Sequence, residues 1–157
     1  MILYHGSNVS VEIPRLIPSR RLLDFGQAFY LTSDLEQAGK WALRTCNRRG
    51  NGVPLVSVYD FDPNALTYLQ VLSFSSPDAD WLRFVVANRT EKNQDQYDIV
   101  IGPVANDQAI RTVNDFQNGR FTEEIAILIL RPQKLKDQYA FKTEKALQYL
   151  HFKEVLS

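Results

Sequence analysis

The sequence predicts a mixed α+β protein in which short strands and helices follow one another without a regular order. Segments of alternating or β-branched apolar residues lie between segments of helical period that begin at capping residues. The chain has 157 residues, 45% of them hydrophobic, which is enough for a core that folds alone. Since no linker or repeat divides it, we predict one domain over residues 1–157.

Charge and cysteine content argue against several classes of function. Basic and acidic residues number 18 each, so no whole-protein basic field favours nucleic acid. Cys46 is the single cysteine, which excludes an internal disulfide and argues against a zinc site. The N-terminus does not have the pattern of a signal peptide, and no run of about 18 apolar residues occurs. We expect a cytoplasmic protein without a membrane segment or a bound metal.

The first third of the chain predicts two strands and a helix. Residues 2–5 form a strand that ends at Gly6, and residues 28–31 form a second strand after a proline-containing loop. Ser33 is predicted to cap the helix that follows, with Glu36 completing a capping box. The predicted apolar face of this helix consists of Leu35, Ala38, Trp41, Ala42 and Cys46.

The middle of the chain predicts three strands and a helix. Strands are expected at 55–62, at 65–72 after a turn, and at 97–103, where the sequence reads YDIVIGP. Ser76 is predicted to cap a helix with Pro77 at its first position, followed by a polar loop over 90–96.

The last third predicts three helices and two strands. A helix over 106–119 is closed by Gly119. Residues 122–132 are rich in β-branched residues, yet Thr122 and two glutamates open them as a helix, which we favour. A strand over 138–142, a short helix capped by Thr143 and a terminal strand over 151–156 complete the chain.

Three aromatic side chains near the N-terminus are candidate ligand contacts, although each has an ordinary structural alternative. His5 ends a strand beside Gly6 and Ser7, where a ligand could approach the backbone closely. Taken alone, it is more simply a strand-end histidine bonded to a loop. Tyr30 would more simply be a core tyrosine with a partner for its hydroxyl, and Trp41 a core residue on its helix.

Four polar residues later in the chain also have ordinary alternatives. Gln138 opens a strand, where an amide is normally solvated. Asn106 and Asp107 most simply cap the helix that follows them. Glu144 most simply lies in the first turn of its helix, where a carboxylate suits the helix dipole. The sequence contains no phosphate-binding glycine loop and no HExxH motif.

Three blocks of the sequence nevertheless resemble the ADP-ribosyltransferase fold, in its branch with a His-Tyr-Glu triad. The first block is YHGS, with His5 as the triad histidine. The second is GQAFYLTSDLEQAGKWA, which carries Tyr30 and, at the second aromatic position, Trp41. The third is DQYAFK, with Gln138 at the position of the glutamate. Nearly the whole chain also resembles a bacterial family of uncharacterised ADP-ribosyltransferase-like domains, some thought to be toxins encoded beside a small antitoxin.

The resemblance implies a fold and a set of roles. The expected fold is a split β-sandwich of two small antiparallel sheets that form a cleft, with peripheral helices. NAD would be the substrate, bound by His5, Gly6, Ser7, Tyr30 and Trp41. His5 would bond a ribose hydroxyl, the amide of Gly6 would bond the nicotinamide carboxamide, and Tyr30 would stack on the nicotinamide ring.

Gln138 departs from the pattern, because glutamine keeps a hydrogen bond but has neither the charge nor the basicity of glutamate. The catalytic set is therefore His5, Tyr30 and Gln138, without chain elongation. Asp107, beside Asn106, or Glu144 are candidates to supply an auxiliary charge or to contact the acceptor.

The resemblance implies a mono-ADP-ribosyltransferase that acts as a toxin, with a protein or nucleic acid as the acceptor and a cognate antitoxin as partner. Two alternatives stay open. One is a catalytically weak or inactive module that binds NAD or a partner protein. The other is an NAD glycohydrolase that uses water as the acceptor.

Overall fold

The computed structural model describes residues 1–90 and 93–157, and within them five α-helices and seven β-strands confirm the α+β class. The strands are β1 Ile2–Ser7, β2 Phe29–Leu31, β3 Leu55–Phe61, β4 Val71–Ser73, β5 Ile99–Pro103, β6 Asp137–Phe141 and β7 Leu150–Leu156. The helices are α1 Leu35–Arg49, α2 Ala79–Thr90, α3 Asp107–Gln117, α4 Glu123–Leu130 and α5 Glu144–Leu147. None of the helices in these two ranges is both long and apolar enough to cross a bilayer. Residues 91 and 92 of the predicted polar loop lie outside the described residues.

The strands form two small sheets. The first has the order β1-β3-β7 and is antiparallel throughout. The second has the order β2-β6-β5-β4, and its β4–β5 pair is parallel. The prediction of two antiparallel sheets is therefore wrong at this edge. Helix α2 lies between β4 and β5 in the chain, so β5 begins at the same end of the sheet as β4 and runs in the same direction.

The strand predicted over residues 65–72 is also wrong in its first half. A 3-10 helix occupies Pro63–Thr67, and only Val71–Ser73 is extended. The carboxylate of Asp62 accepts a hydrogen bond of 2.9 Å from the amide of Asn64 and so caps this short helix. Pro63 already has the fixed φ that the first helical position needs, and these local signals outweigh the β propensity of the segment.

Two hydrophobic cores lie on opposite faces of the second sheet. The core between the sheets has contributions from six strands, among them Leu3, Leu31, Tyr59, Phe61, Ile99 and Phe141. The other core lies between the second sheet and helices α2, α3 and α4, and it includes Phe25, Trp81, Val85, Val100, Val113 and Leu130. Side chains that alternate along a strand of the second sheet therefore enter different cores.

Helix α1 packs against β1 by close backbone contact. A Cβ atom added to Gly6 would lie 1.9 Å from the carbonyl oxygen of Ala38. The buried face of α1 therefore consists of small or polar residues, namely Gln37, Ala38, Ala42 and Thr45. The predicted apolar face is correct for the two alanines, whereas Leu35 is exposed and Trp41 and Cys46 are partly exposed.

The predicted helix caps are partly correct. Asn106, Thr122 and Thr143 cap α3, α4 and α5, as the sequence indicates, and residues 123–130 are helical. The cap of α1 is Asp34 and not Ser33, because the Ser33 hydroxyl donates to Asp137 instead. The predicted cap at Ser76 is wrong as well. Helix α2 begins at Ala79, and the Asp78 carboxylate accepts from the amide of Trp81 at 2.9 Å.

Candidate functional site

The two sheets meet where β1 and β2 pair at one bridge and then separate. Tyr4 and Thr32 exchange two main-chain hydrogen bonds, of 2.8 and 2.9 Å. In an antiparallel pair, the N–H and C=O groups of one residue face the same side, and this side alternates along the strand. The main-chain groups of Gly6 and Tyr30, each two residues from the bridge, therefore face the gap between the strands.

His5 closes part of this gap by bonding the main chain of Tyr30. Its Nδ1 atom lies 2.7 Å from the Tyr30 carbonyl oxygen, and its ring stacks on Phe29 with centroids 4.1 Å apart. Because a carbonyl only accepts, Nδ1 must carry the proton. In the neutral imidazole, Nε2 is then an acceptor that this bond leaves free.

Burial keeps the imidazole of His5 neutral. Loss of hydration lowers the pKa of His5 to about 4, against the opposing effect of the hydrogen bond to Tyr30, and the charge of Arg49 lowers it further. Arg49 is held nearby because its guanidinium donates to the Asn8 side chain at 2.8 Å. The ring of His5 is therefore an acceptor at neutral pH.

Tyr30 has its ring on the other face of β2 from Phe29 and His5. Its hydroxyl donates to the Gly26 carbonyl at 2.6 Å and accepts from the Phe25 amide at 3.1 Å. Burial, and then the charge of Asp24, raise the pKa of the Tyr30 hydroxyl. The expected structural role is confirmed, since the hydroxyl of this tyrosine has partners. Its stacking role stays a prediction, and it would involve the ring only.

Gln138 is buried, so the ordinary expectation of a solvated amide is wrong. Only 4% of the residue is exposed. Its Nε2 atom lies 3.3 Å from Asp24 Oδ2 and 3.3 Å from the Pro103 carbonyl oxygen. Tyr30 pairs with Ala140, two residues from Gln138, so the two predicted site residues are diagonal neighbours on one face of the second sheet.

Asp24 and Arg89 belong to this region, although no sequence motif indicated them. Asp24 is 9% exposed, and its Oδ1 atom lies 2.7 Å from Arg89 Nη1. Its Oδ2 atom also accepts from the amide of Ala105 at 3.3 Å. The available signal was a carboxylate flanked by apolar residues in LLDFG, since such a residue is buried only when it is paired.

Gly6 and Ser7 lie at the end of β1 with structural contacts of their own. The missing side chain of Gly6 allows the close approach of α1 described above. The hydroxyl of Ser7 is buried and donates to the Asn8 side chain at 3.4 Å. Of these two residues, the main chain of Gly6 is therefore what is left for a ligand.

Trp41 is not packed into either of the two described cores and is half-buried on α1. The ordinary expectation of a core tryptophan is therefore wrong. Arg44, three residues later on the same side of α1, pairs with Asp107 at 3.0 Å. Arg44 and Asp107 thus bring this side of α1 to the start of α3.

The auxiliary candidates lie in different places. Asn106 caps α3 by accepting from the amide of Ala109 at 2.8 Å, and Asp107 is an exposed residue paired with Arg44. Both follow Ala105, whose amide bonds Asp24, so they are near Gln138. Glu144 is exposed in α5, beyond the far end of β6, so the structure does not bring it to Gln138.

Two surface cavities lie elsewhere. One, of about 520 Å³, lies between β4 and α2 and is lined by residues that include Phe74, Asp78 and Arg83. Another, of about 590 Å³, is lined by Gln70 and residues 93–97. Neither includes the predicted site residues. Within residues 1–90 and 93–157, no three His, Cys, Asp or Glu side chains are grouped to hold a metal ion.

The fold and the site define an α+β protein whose two sheets separate beside a neutral histidine. The family model described as "Protein of unknown function (DUF3990)" matches residues 1–152, so the chain belongs to this family. No curated protein matches the chain, and no solved structure matches it.

Proposed function

We propose that this protein is an NAD-dependent mono-ADP-ribosyltransferase that acts in the cytoplasm. The observation that carries the proposal is the separation of β1 and β2 beside His5. The main-chain groups of Gly6, a buried residue, face the β2 side without a bridge to it, next to a neutral imidazole acceptor. A carboxamide needs one donor and one acceptor, and a ribose hydroxyl needs an acceptor, which are the groups that Gly6 and His5 offer.

The reaction breaks the bond between nicotinamide and ribose through an oxocarbenium-like state, as in glycoside hydrolysis. Nicotinamide leaves as a neutral molecule, so no strong general acid is required. The Gly6 main chain would hold the carboxamide, and Nε2 of His5 would accept from a ribose hydroxyl. The main task of the site is to hold NAD bent, with the anomeric carbon exposed.

Aromatic rings would enclose the nicotinamide. The hydroxyl bonds to Gly26 and Phe25 fix the ring of Tyr30, so little conformational entropy would be lost when a ligand stacks on it. Trp41 is outside both cores and is available as the second ring. Each stacking contact would contribute about 0.5–1.5 kcal/mol beyond surface burial.

Gln138 limits the chemistry to a single transfer. Its amide would accept from a hydroxyl of the nicotinamide ribose, but it cannot deprotonate an acceptor. The acceptor must therefore be nucleophilic already or bring its own base, with Asp107 as the nearer auxiliary carboxylate. Glu144 is too far along the chain beyond β6 for this role.

The acceptor is a protein or a nucleic acid, and the protein would be the toxin of a pair with a cognate antitoxin. Burial, and then the charges of Arg21 and Arg49, lower the pKa of Arg48, so these three guanidinium groups lie near one another. A nucleic acid acceptor would place its phosphates against this local basic cluster.

The test is nicotinamide release from NAD by the purified protein, with and without a bacterial lysate. Trp41→Leu removes the proposed stacking ring without emptying a described core. Leu43→Ala is the matched control, because Leu43 is 53% exposed on the same helix. Tyr30→Ala is a second variant, which removes the other proposed stacking ring.

We expect lysate-dependent release that the Leu43→Ala protein retains and the Trp41→Leu and Tyr30→Ala proteins lose. Transfer of radiolabel from NAD to a lysate component would then identify the acceptor. Release without lysate, with free ADP-ribose as the product, would mean NAD hydrolysis. A folded wild-type protein that neither releases nicotinamide nor binds NAD would disprove the proposal.

A binding module is the second candidate, and one observation favours it. Gln138 is uncharged, and its amide nitrogen is already bonded to Asp24 and Pro103. Such a module would bind NAD in calorimetry without releasing nicotinamide under any lysate condition.

A further inference from the structure

The orientation of the Gln138 amide is fixed by chemistry. The two groups next to its Nε2 atom are the Asp24 carboxylate and the Pro103 carbonyl, each at 3.3 Å. Both groups only accept hydrogen bonds, so only the NH2 end of the amide can face them. A flipped amide would put its oxygen against two other oxygens, one of which carries a negative charge.

The oxygen of this amide is therefore the end that a ligand would meet. Gln138 Oε1 has no hydrogen-bond partner among residues 1–90 and 93–157. It is also not among the fully enclosed side-chain atoms that lack a partner, which are Asn88 Oδ1 and Gln133 Oε1. The small exposed part of this residue, 4%, thus includes an oriented acceptor.

Asp24 is itself held in place from three directions. Arg89 bonds one carboxylate oxygen, and the amide of Ala105 and the Gln138 side chain bond the other. The following two residues of the same turn, Phe25 and Gly26, hold the hydroxyl of Tyr30. One turn of three residues therefore supports both predicted site residues of the second sheet.

We propose that Asp24 is a positioning residue that makes Gln138 present its oxygen, and not its nitrogen, to a ribose hydroxyl. This role rests on the proposed function. The same contact accounts for the glutamine at this position. A glutamate would bring a second carboxylate to about 3.3 Å from Asp24 with only one arginine to balance them, so residues 24 and 138 are a coupled pair.

The first experiment uses no NAD and tests the pairing alone. Urea unfolding is measured at pH 7 and pH 5 for wild type, Gln138→Glu, Asp24→Asn and the double variant. Gln117→Glu is the control, since it makes the same chemical change at an exposed position on α3. The double variant restores the net charge of the site, and the new amide at position 24 can donate to the new carboxylate at position 138, which then faces the Pro103 carbonyl but no second carboxylate.

We expect Gln138→Glu to lower the unfolding midpoint at pH 7 well beyond the control, and the double variant to recover at least half of the loss. Two carboxylates in one site raise the folded-state pKa of one of them, so the deficit should shrink as the pH falls to 5. The pairing would be disproved if Gln138→Glu behaved like Gln117→Glu, or if the double variant were no more stable than Gln138→Glu.

The second experiment tests the orientation through turnover. In Asp24→Asn, the new amide can donate to the Gln138 oxygen, so this oxygen gains a partner inside the protein and only the Pro103 carbonyl still favours the wild-type orientation. We expect kcat for nicotinamide release to fall about tenfold, while KM for NAD changes less than about threefold. The double variant presents a carboxylate oxygen at position 138, so its kcat should exceed that of Asp24→Asn.

The two experiments separate the failure of this role from the failure of the proposed function. A wild-type protein without NAD activity would remove the proposed function and with it the ribose contact, whereas the unfolding results would still decide the pairing. An active wild type with unchanged kcat in Asp24→Asn would overturn the positioning role.

Discussion

The two sides of the predicted site are supported by different kinds of contact. On the β1 side, the supporting contacts involve main-chain atoms: Gly6 lies against α1, and the His5 ring bonds the Tyr30 carbonyl. On the β6 side, charged and polar side chains hold the geometry, with Gln138 bonded to Asp24 and Asp24 to Arg89. The first side should therefore be sensitive to added volume and the second to altered charge.

Added volume at Gly6 should have the largest effect. Gly6→Ala places a Cβ atom where backbone atoms of α1 already lie, so α1 must move or the strand must distort. We expect a loss of more than about 3 kcal/mol in the free energy of unfolding. Gly39→Ala is the control, because an added Cβ there would meet open space among residues 1–90 and 93–157, apart from the backbone of its own helix.

That control should change stability in the opposite direction. Gly39 is inside α1, where alanine is favoured over glycine by about 0.5–1 kcal/mol. Chemical unfolding of both variants measures the contrast. Equal effects of the two substitutions would show that α1 does not pack on β1 as closely as described.

Removal of a charge should have the next largest effect. Arg89→Met leaves Asp24 buried without its cation, and we expect a loss of about 2–3 kcal/mol, since Arg89 is partly exposed. Arg83→Met is the matched control on the same helix, where the arginine pairs with Glu123 at the surface. A control loss as large as that of Arg89→Met would contradict the difference between a buried and an exposed pair.

Protonation of His5, on the β1 side, should have an effect of intermediate size on stability. The pKa of His5 is 6.5 in the unfolded chain and about 4 in the fold, so the unfolded state alone binds a proton between these values. Stability should therefore fall as the pH falls from 6.5 to 4, by about 2 kcal/mol for a partly exposed ring.

His5→Gln should remove this part of the pH dependence, and His151→Gln, which changes an exposed imidazole on β7, should retain it. Urea unfolding at several pH values gives the two slopes. A wild-type slope that survives in His5→Gln would assign the proton uptake to another group.

The smallest effect should come from Tyr30→Phe. The variant loses the hydroxyl bonds to Gly26 and Phe25 and should cost about 1 kcal/mol of stability. Because the ring is kept, a loss of NAD binding much beyond the effect on stability would mean that the hydroxyl, and not the ring face, matters to the ligand.

Local signals in the sequence predicted much of the fold. Three helices were predicted from their caps, because capping depends on residues close in the chain. The caps are Asn106, Thr122 and Thr143. Ser33 could not be separated from Asp34 as a cap, because the choice depends on Asp137, which is 104 residues away. The parallel pairing of β4 and β5 could not be predicted either, since the strand order is set by the whole sheet.

The candidate site was likewise predicted only where the signal was local. The sequence selected Gln138 from its place in a motif, but not the turn at Asp24 that holds it, 114 residues earlier. The ordinary alternative for Trp41, a core residue, followed from its helical spacing, and periodicity cannot show how closely α1 packs on Gly6. Pairing and close approach are properties of the tertiary structure.

The bonds from Asp137 to Thr32 and Ser33 have a consequence for the order of assembly. They join β6 to the end of β2 across about 105 residues, and among the described strands β6 is the one neighbour of β2 in its sheet. During synthesis, the bridge to β1 can form early, but β2 can join the second sheet only after β6 has left the ribosome. The gap beside His5 therefore cannot take its final form in a nascent chain that stops short of residue 141.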